Sequence, residues 1–114
     1  MTAAVSVGDA RIVPVDAAAV LARCDRLAGI TAVPGTITRA YLTPEHAAAN
    51  SVTAGWMKAA GMTTRVDGAG NIVGRYEGAT PDAPVLLLGS HLDTVPDAGR
   101  YDGPLGVMIA IAVV

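Results

Sequence analysis

An α/β fold is predicted by three features of this 114-residue chain. Two segments carry helical periodicity, a hairpin pattern follows them, and a continuous apolar run, Val85-Leu86-Leu87-Leu88, leads through a polar loop into an apolar helix. There is no internal repeat and no low-complexity linker, so residues 1–114 are read as one unit without a domain boundary.

Residues 1–14 have no clear periodicity and read as a loose lead-in. Asp16 is placed to cap a helix over residues 17–28, in which Val20, Leu21, Cys24 and Leu27 share a face. Residues 29–42, with Pro34, Gly35 and three threonines, read as a loop crossing the surface. Thr43-Pro44-Glu45 starts a second helix with a hydroxyl cap, a proline in the first turn and an acid beside it. That helix is predicted over residues 44–60 with Ala48, Val52, Trp56 and Ala59 inward, and Gly61 ends it in the left-handed conformation. From Met62 the period becomes two. Residues 63–67 and 71–76 read as strands around the turn Gly68-Ala69-Gly70, with Asp67 and Asn71 as turn formers. The run 85–88 suits a central strand buried on both faces, and Pro104 opens the last helix.

Composition narrows the function. A formal net charge of -2, with seven scattered arginines and only Lys58 as lysine, gives no clustered basic surface for nucleic acid. The single cysteine, Cys24, excludes an internal disulfide and, among apolar helix positions, reads as a small buried hydrophobe. No basic segment precedes an apolar stretch at the N-terminus, and the apolar tail 107–114 is shorter than the roughly 20 residues a bilayer needs. These features read as a cytoplasmic chain with no membrane partner. The core is expected to be shallow, because Phe is absent and many hydrophobic residues are alanine. The tail has no capping residue after it, so the chain reads as cut within the first turns of a buried helix, with marginal stability or self-association expected.

The chemistry concentrates after the apolar run, in Gly89-Ser90-His91-Leu92-Asp93-Thr94-Val95 and Tyr101-Asp102-Gly103-Pro104-Leu105-Gly106. In open α/β sheets, ligand sites collect beyond the carboxyl ends of strands. His91 and Asp93 are two apart and project to one side if the backbone stays extended. A neutral imidazole is a good ligand for Zn²⁺ and similar ions, and a neighbouring carboxylate can take its other N–H. Asp102 returns after a Pro- and Gly-containing loop, and one carboxylate can bridge two metals about 3.5–4 Å apart. Gly103 allows unusual backbone beside that carboxylate, and the following helix would turn its N-terminal dipole toward the site. A His-x-Asp pair alone is an ordinary polar loop. The preceding apolar strand, the second acid in a Gly-flanked turn and the scarcity of histidine point beyond that. His46, the only other histidine, is expected as a solvated residue in a first helical turn.

The string from Gly89 to Val107 closely resembles the hydantoinase/carbamoylase family of metal-dependent amidohydrolases. The resemblance extends to Leu42-Thr43-Pro44-Glu45-His46, to Trp56-Met57-Lys58-Ala59-Ala60-Gly61-Met62, and to Asp67-Gly68-Ala69-Gly70-Asn71-Ile72-Val73-Gly74-Arg75-Tyr76. It implies the N-terminal part of a zinc-exopeptidase-like catalytic domain, without the family's dimerisation domain. By position it makes His91 a ligand to one metal, Asp102 the bridging carboxylate, and Asp93 the catalytic-site acid that orients His91. It also places a cis bond between Asp102 and Gly103. The implied cofactors are two divalent ions, Zn²⁺ first and Mn²⁺, Ni²⁺ or Co²⁺ as alternatives. The implied reaction is hydrolysis of a carbamoyl or ureido C–N bond in a small-molecule substrate, such as allantoate or an N-carbamoyl-L-amino acid, by a homodimeric parent. The catalytic Glu, a Glu ligand and two His ligands of the family have no counterpart in this sequence, so the chain is expected to be inactive alone. Two alternatives stand beside this: the related aminoacylase and peptidase branch, and a non-catalytic remnant of a disrupted gene.

Overall fold

The computed structural model describes residues 5–7 and 10–114, with side chains from residue 13 onward. Its elements in chain order are β1 (Val5–Val7), β2 (Ala10–Ile12), α1 (Ala17–Ala28), α2 (Pro44–Ala59), β3 (Thr63–Val66), β4 (Ile72–Arg75) and α3 (Pro104–Ala112). The α/β class is therefore as expected, but each sheet is a two-stranded antiparallel pair, β1 with β2 and β3 with β4. The expected loose lead-in is corrected, since Val5 pairs with Ile12 and Val7 with Ala10. Backbone pairing over three residues a side overrides the absence of a long pattern there. Residues 1–4 and 8–9 of that lead-in lie outside the described residues.

All three predicted helix starts are present, two of them with the expected side-chain caps. The Asp16 side chain accepts from the Ala19 N–H at 3.2 Å, and the Thr43 hydroxyl accepts from the His46 N–H at 3.2 Å. Each satisfies a donor that a helix N-terminus leaves orphaned. Gly61 ends α2 with φ 91°. In the β3–β4 hairpin Val66 faces Ile72, and Asp67 Oδ1 accepts from the N–H groups of Ala69 and Asn71. Asp67 and Asn71 are thus turn formers.

The core joins Val20, Cys24 and Leu27 of α1, Ala49 and Met57 of α2, Leu92, and Val107, Met108 and Ile111 of α3. Cys24 is buried among them, and burial first, then the Asp25 charge, pushes its thiol pKa up, away from a reactive thiolate. Leu21, expected on the inner face of α1, is exposed.

The inward face of α2 differs from the expected one. His46, Ala49, Asn50, Thr53 and Met57 are buried, Val52 and Trp56 flank them half-buried, and Ala48 and Ala59 are exposed. The stripe lies about one residue around the helix because three of its members are polar, and two of those bond to backbone. His46 Nδ1 accepts from the Leu42 N–H at 3.2 Å, and Asn50 Nδ2 donates to the Gly70 carbonyl at 2.9 Å. Hydrogen bonding, not apolarity, brings them inside. The expectation of a solvated His46 is corrected on the same ground.

The largest correction concerns residues 85–88. They form no strand, and Val85, Leu86 and Leu87 are 78%, 80% and 88% exposed. A strand requires neighbours for its N–H and C=O groups, and none of the described strands pairs with this run. The expected cis bond is likewise absent, since every described peptide is trans.

Candidate functional site

The segment carrying His91 and Asp93 is irregular rather than a strand exit, and it is held from the side by the loop before α2. The Arg39 N–H donates to Thr94 Oγ1 at 2.8 Å, and the Thr94 N–H donates to the Arg39 carbonyl at 2.7 Å. The Ala98 N–H reaches the Ile37 carbonyl at 2.9 Å, and the Asp97 N–H reaches Thr38 Oγ1 at 3.0 Å. Residues 37–39 therefore guide 94–98 much as a partner strand would. Leu92, 4% exposed, anchors the segment in the core, so its two polar neighbours turn outward. The side chains of His91 and Asp93 are 51% and 41% exposed.

Asp102 comes back to this segment just ahead of α3. Its Oδ1 lies 3.7 Å from His91 Nε2. On the other side of the ring, Nδ1 is 2.8 Å from the Asp93 backbone carbonyl and 3.5 Å from the Asp93 carboxylate. The shorter contact selects between the two neutral tautomers: a carbonyl only accepts, so in the neutral ring Nδ1 carries the proton and Nε2 presents its lone pair. Sequence reasoning gave the orienting role to the Asp93 carboxylate. The close partner is instead its main-chain oxygen, because the ring folds back over its own backbone.

Two glycines make the approach possible. Gly103 has φ 99°, and a Cβ there would lie 2.5 Å from the His91 carbonyl oxygen and 2.6 Å from the ring. A Cβ on Gly106 would meet the Ser90 Cβ at 2.8 Å. Both positions let the first turn of α3 press against Ser90 and His91. Pro104 opens that turn, and Gly103 contributes no side-chain cap.

The chemistry of the donors suits a divalent cation. A nitrogen and an oxygen bound to one tetrahedral Zn²⁺ at about 2.0–2.2 Å lie roughly 3.4 Å apart, close to the 3.7 Å between Nε2 and Oδ1. An imidazole lone pair beside a carboxylate has no proton between them to share, so a cation there would satisfy both. The set is incomplete: among the described residues no three His, Cys, Asp or Glu side chains gather around one point.

The residue that sequence reasoning missed is Arg39, placed in a surface loop but 0% exposed. Its Nε donates to the Leu92 carbonyl at 2.7 Å, and its Nη1 donates to the Leu27 and Ile30 carbonyls at 2.8 and 2.7 Å. Burial pushes its pKa down and the Asp93 charge pulls it up. A single arginine within a Thr- and Pro-containing loop was the only signal available for it. Among the described residues, no helix is long and apolar enough to cross a membrane.

No family model matches the chain. It is 48% identical over 80 residues to the N-carbamoyl-L-amino acid amidohydrolase of Geobacillus stearothermophilus, which covers 70% of this chain and 20% of that protein. It is 46% identical over 89 residues to a probable allantoate deiminase of Oryza sativa subsp. japonica, covering 78% of this chain and 18% of that one. The chain thus spans about a fifth of the length of these curated relatives. Among solved structures, a hydantoinase/carbamoylase family amidase from Burkholderia ambifaria superposes with a TM-score of 0.80 at 38% identity, covering 86% of this chain and 24% of that one. Alike in sequence and in backbone over most of its residues, the chain belongs to the hydantoinase/carbamoylase family of amidohydrolases.

Proposed function

We propose that this chain carries part of a dinuclear metal centre in an enzyme that hydrolyses a linear amide, at the C–N bond of a carbamoyl or ureido group. The observation that carries the reading is the convergence of His91 Nε2 and Asp102 Oδ1 to 3.7 Å. It is supported by the likeness to amidohydrolases. The fold assignment that goes with it is a portion of a zinc-exopeptidase-like catalytic domain.

In this reading His91 offers Nε2 as a ligand, and its Nδ1–H, held by the Asp93 carbonyl, keeps the ring in the tautomer that ligation needs. Asp102 offers a carboxylate that would help hold the metal, and Gly103 clears the space for the ring. Two divalent ions, Zn²⁺ or alternatively Mn²⁺, Ni²⁺ or Co²⁺, would polarise the substrate carbonyl and lower the pKa of water at the site. A general base and further ligands would have to come from residues other than these.

The test is a chimera in which residues of this chain replace their counterparts in the G. stearothermophilus N-carbamoyl-L-amino acid amidohydrolase. Hydrolysis of an N-carbamoyl-L-amino acid is expected from the chimera. His91→Ala and Asp102→Asn within it should each lower kcat at least a hundredfold without unfolding it. A folded chimera whose activity is indifferent to both substitutions would overturn the reading.

A further inference from the structure

We propose that Arg39 is a positioning residue for the candidate site: its buried guanidinium grips the Leu92 carbonyl and thereby fixes the backbone from which His91 and Asp93 project. The purpose of this grip rests on the metal reading above, whereas the grip itself is a matter of geometry.

Arg39 is the largest fully buried side chain among the described residues. Its Nε bond to Leu92, 2.7 Å long, ends on the carbonyl between the two candidate site residues. Its Nη1 reaches the Leu27 carbonyl in the last turn of α1 and the Ile30 carbonyl just beyond the helix. One planar group thus ties the negative end of a helix dipole to the site segment. Burying a cation without a bonded carboxylate is expensive, and an apolar side chain of similar volume would fill the space without that cost. Moreover, Nη2 has no partner among the described residues, so the full donor capacity of the guanidinium is not what keeps an arginine there. What arginine adds is directional: donors on two separate nitrogens in a fixed plane, which a lysine ammonium cannot reproduce. The main-chain bonds between Arg39 and Thr94 extend the same connection two residues beyond Leu92.

The test uses the 114-residue chain, with long-range ¹H–¹⁵N spectra reporting which nitrogen of the neutral His91 ring carries the proton, together with Zn²⁺ titration. Arg39→Ala is expected to lose the Nδ1–H preference of His91 and to weaken Zn²⁺ binding at least tenfold, about the loss known for residues that support metal ligands. Millimolar methylguanidinium should restore both, and methylammonium should restore neither. If Arg39→Ala does not fold, a folded Arg39→Lys carries the same expectation. A folded variant that keeps the His91 proton pattern overturns the proposal, as does equal rescue by methylammonium. Should the unaltered chain bind no Zn²⁺, the metal-free ring comparison still decides the role of Arg39, and the chimera decides the metal reading.

Discussion

Gly103 is the residue on which the geometry of the site depends most. With φ 99° and the His91 ring and carbonyl within 2.6 Å of where a Cβ would stand, it excludes every other amino acid on two independent grounds. Gly103→Ala is therefore expected to destabilise the chain by about 1–3 kcal/mol from backbone strain alone, and to displace His91 from Asp102. Urea denaturation and the loss of contacts between the His91 ring and residue 103 in NOE spectra would check both. An alanine variant of unchanged stability would contradict the assignment. At this scale the sequence was legible where a residue type has one strong use: Asp16 and Thr43 as caps, Gly61 as a helix end, Asp67 in a turn. It was illegible where a polar side chain is buried by the backbone groups it meets, as with His46, Asn50 and Arg39. The partners of Asn50 and Arg39 include segments distant in the chain, and although His46 meets the nearby Leu42 N–H, no local pattern announces any of the three.

Among the elements, the β3–β4 hairpin shows how a turn can couple to pH. Hydrogen bonds from the Asn71 side chain and backbone, then from the Ala69 N–H, hold the Asp67 carboxyl below its ordinary value. A carboxyl whose folded pKa is depressed contributes stability above its unfolded value of about 3.9, and that contribution is lost as pH falls through the folded value. The protection of amides in Thr63–Val66 and Ile72–Arg75, taken as exchange relative to the intrinsic rate at each pH, is accordingly expected to be level from neutrality down to about pH 5 and to fall below pH 4. Asn71→Ala should flatten that dependence. An acid response unchanged by Asn71→Ala would assign the effect to another group. Helix α2 teaches a different lesson: its limits follow from Thr43, Pro44 and Gly61, but its buried face does not follow from alanine-rich periodicity. With small residues on every side, hydrophobicity barely distinguishes one face from another, so single bonds such as Asn50 to Gly70 help to choose.

At the scale of the whole molecule, the chain is more open than its mass suggests. Its accessible surface is 7525 Å², against roughly 5800 Å² for a closed monomer of this size. Its radius of gyration is 15.5 Å, against about 13 Å. The run 85–88 contributes to the excess, reading as a buried strand in the sequence and standing exposed in the structure. The composition of that run was correctly apolar. What periodicity cannot supply is a pairing partner, and a strand is defined by its neighbours as much as by itself. The site depends on less: Leu92 in the core, Arg39 beneath the backbone, and α3 brought close by two glycines are enough to place His91 beside Asp102.

Whether His91 and Asp102 can share a cation is decided by Zn²⁺ titration of the ¹⁵N-labelled chain. Weak binding is expected at one location, with the His91 Nε2 resonance moving, Nδ1 retaining its proton, His46 unaffected, and Asp102→Asn abolishing the response. Zn²⁺-induced shifts centred on His46, or a His91 response indifferent to Asp102→Asn, would contradict it.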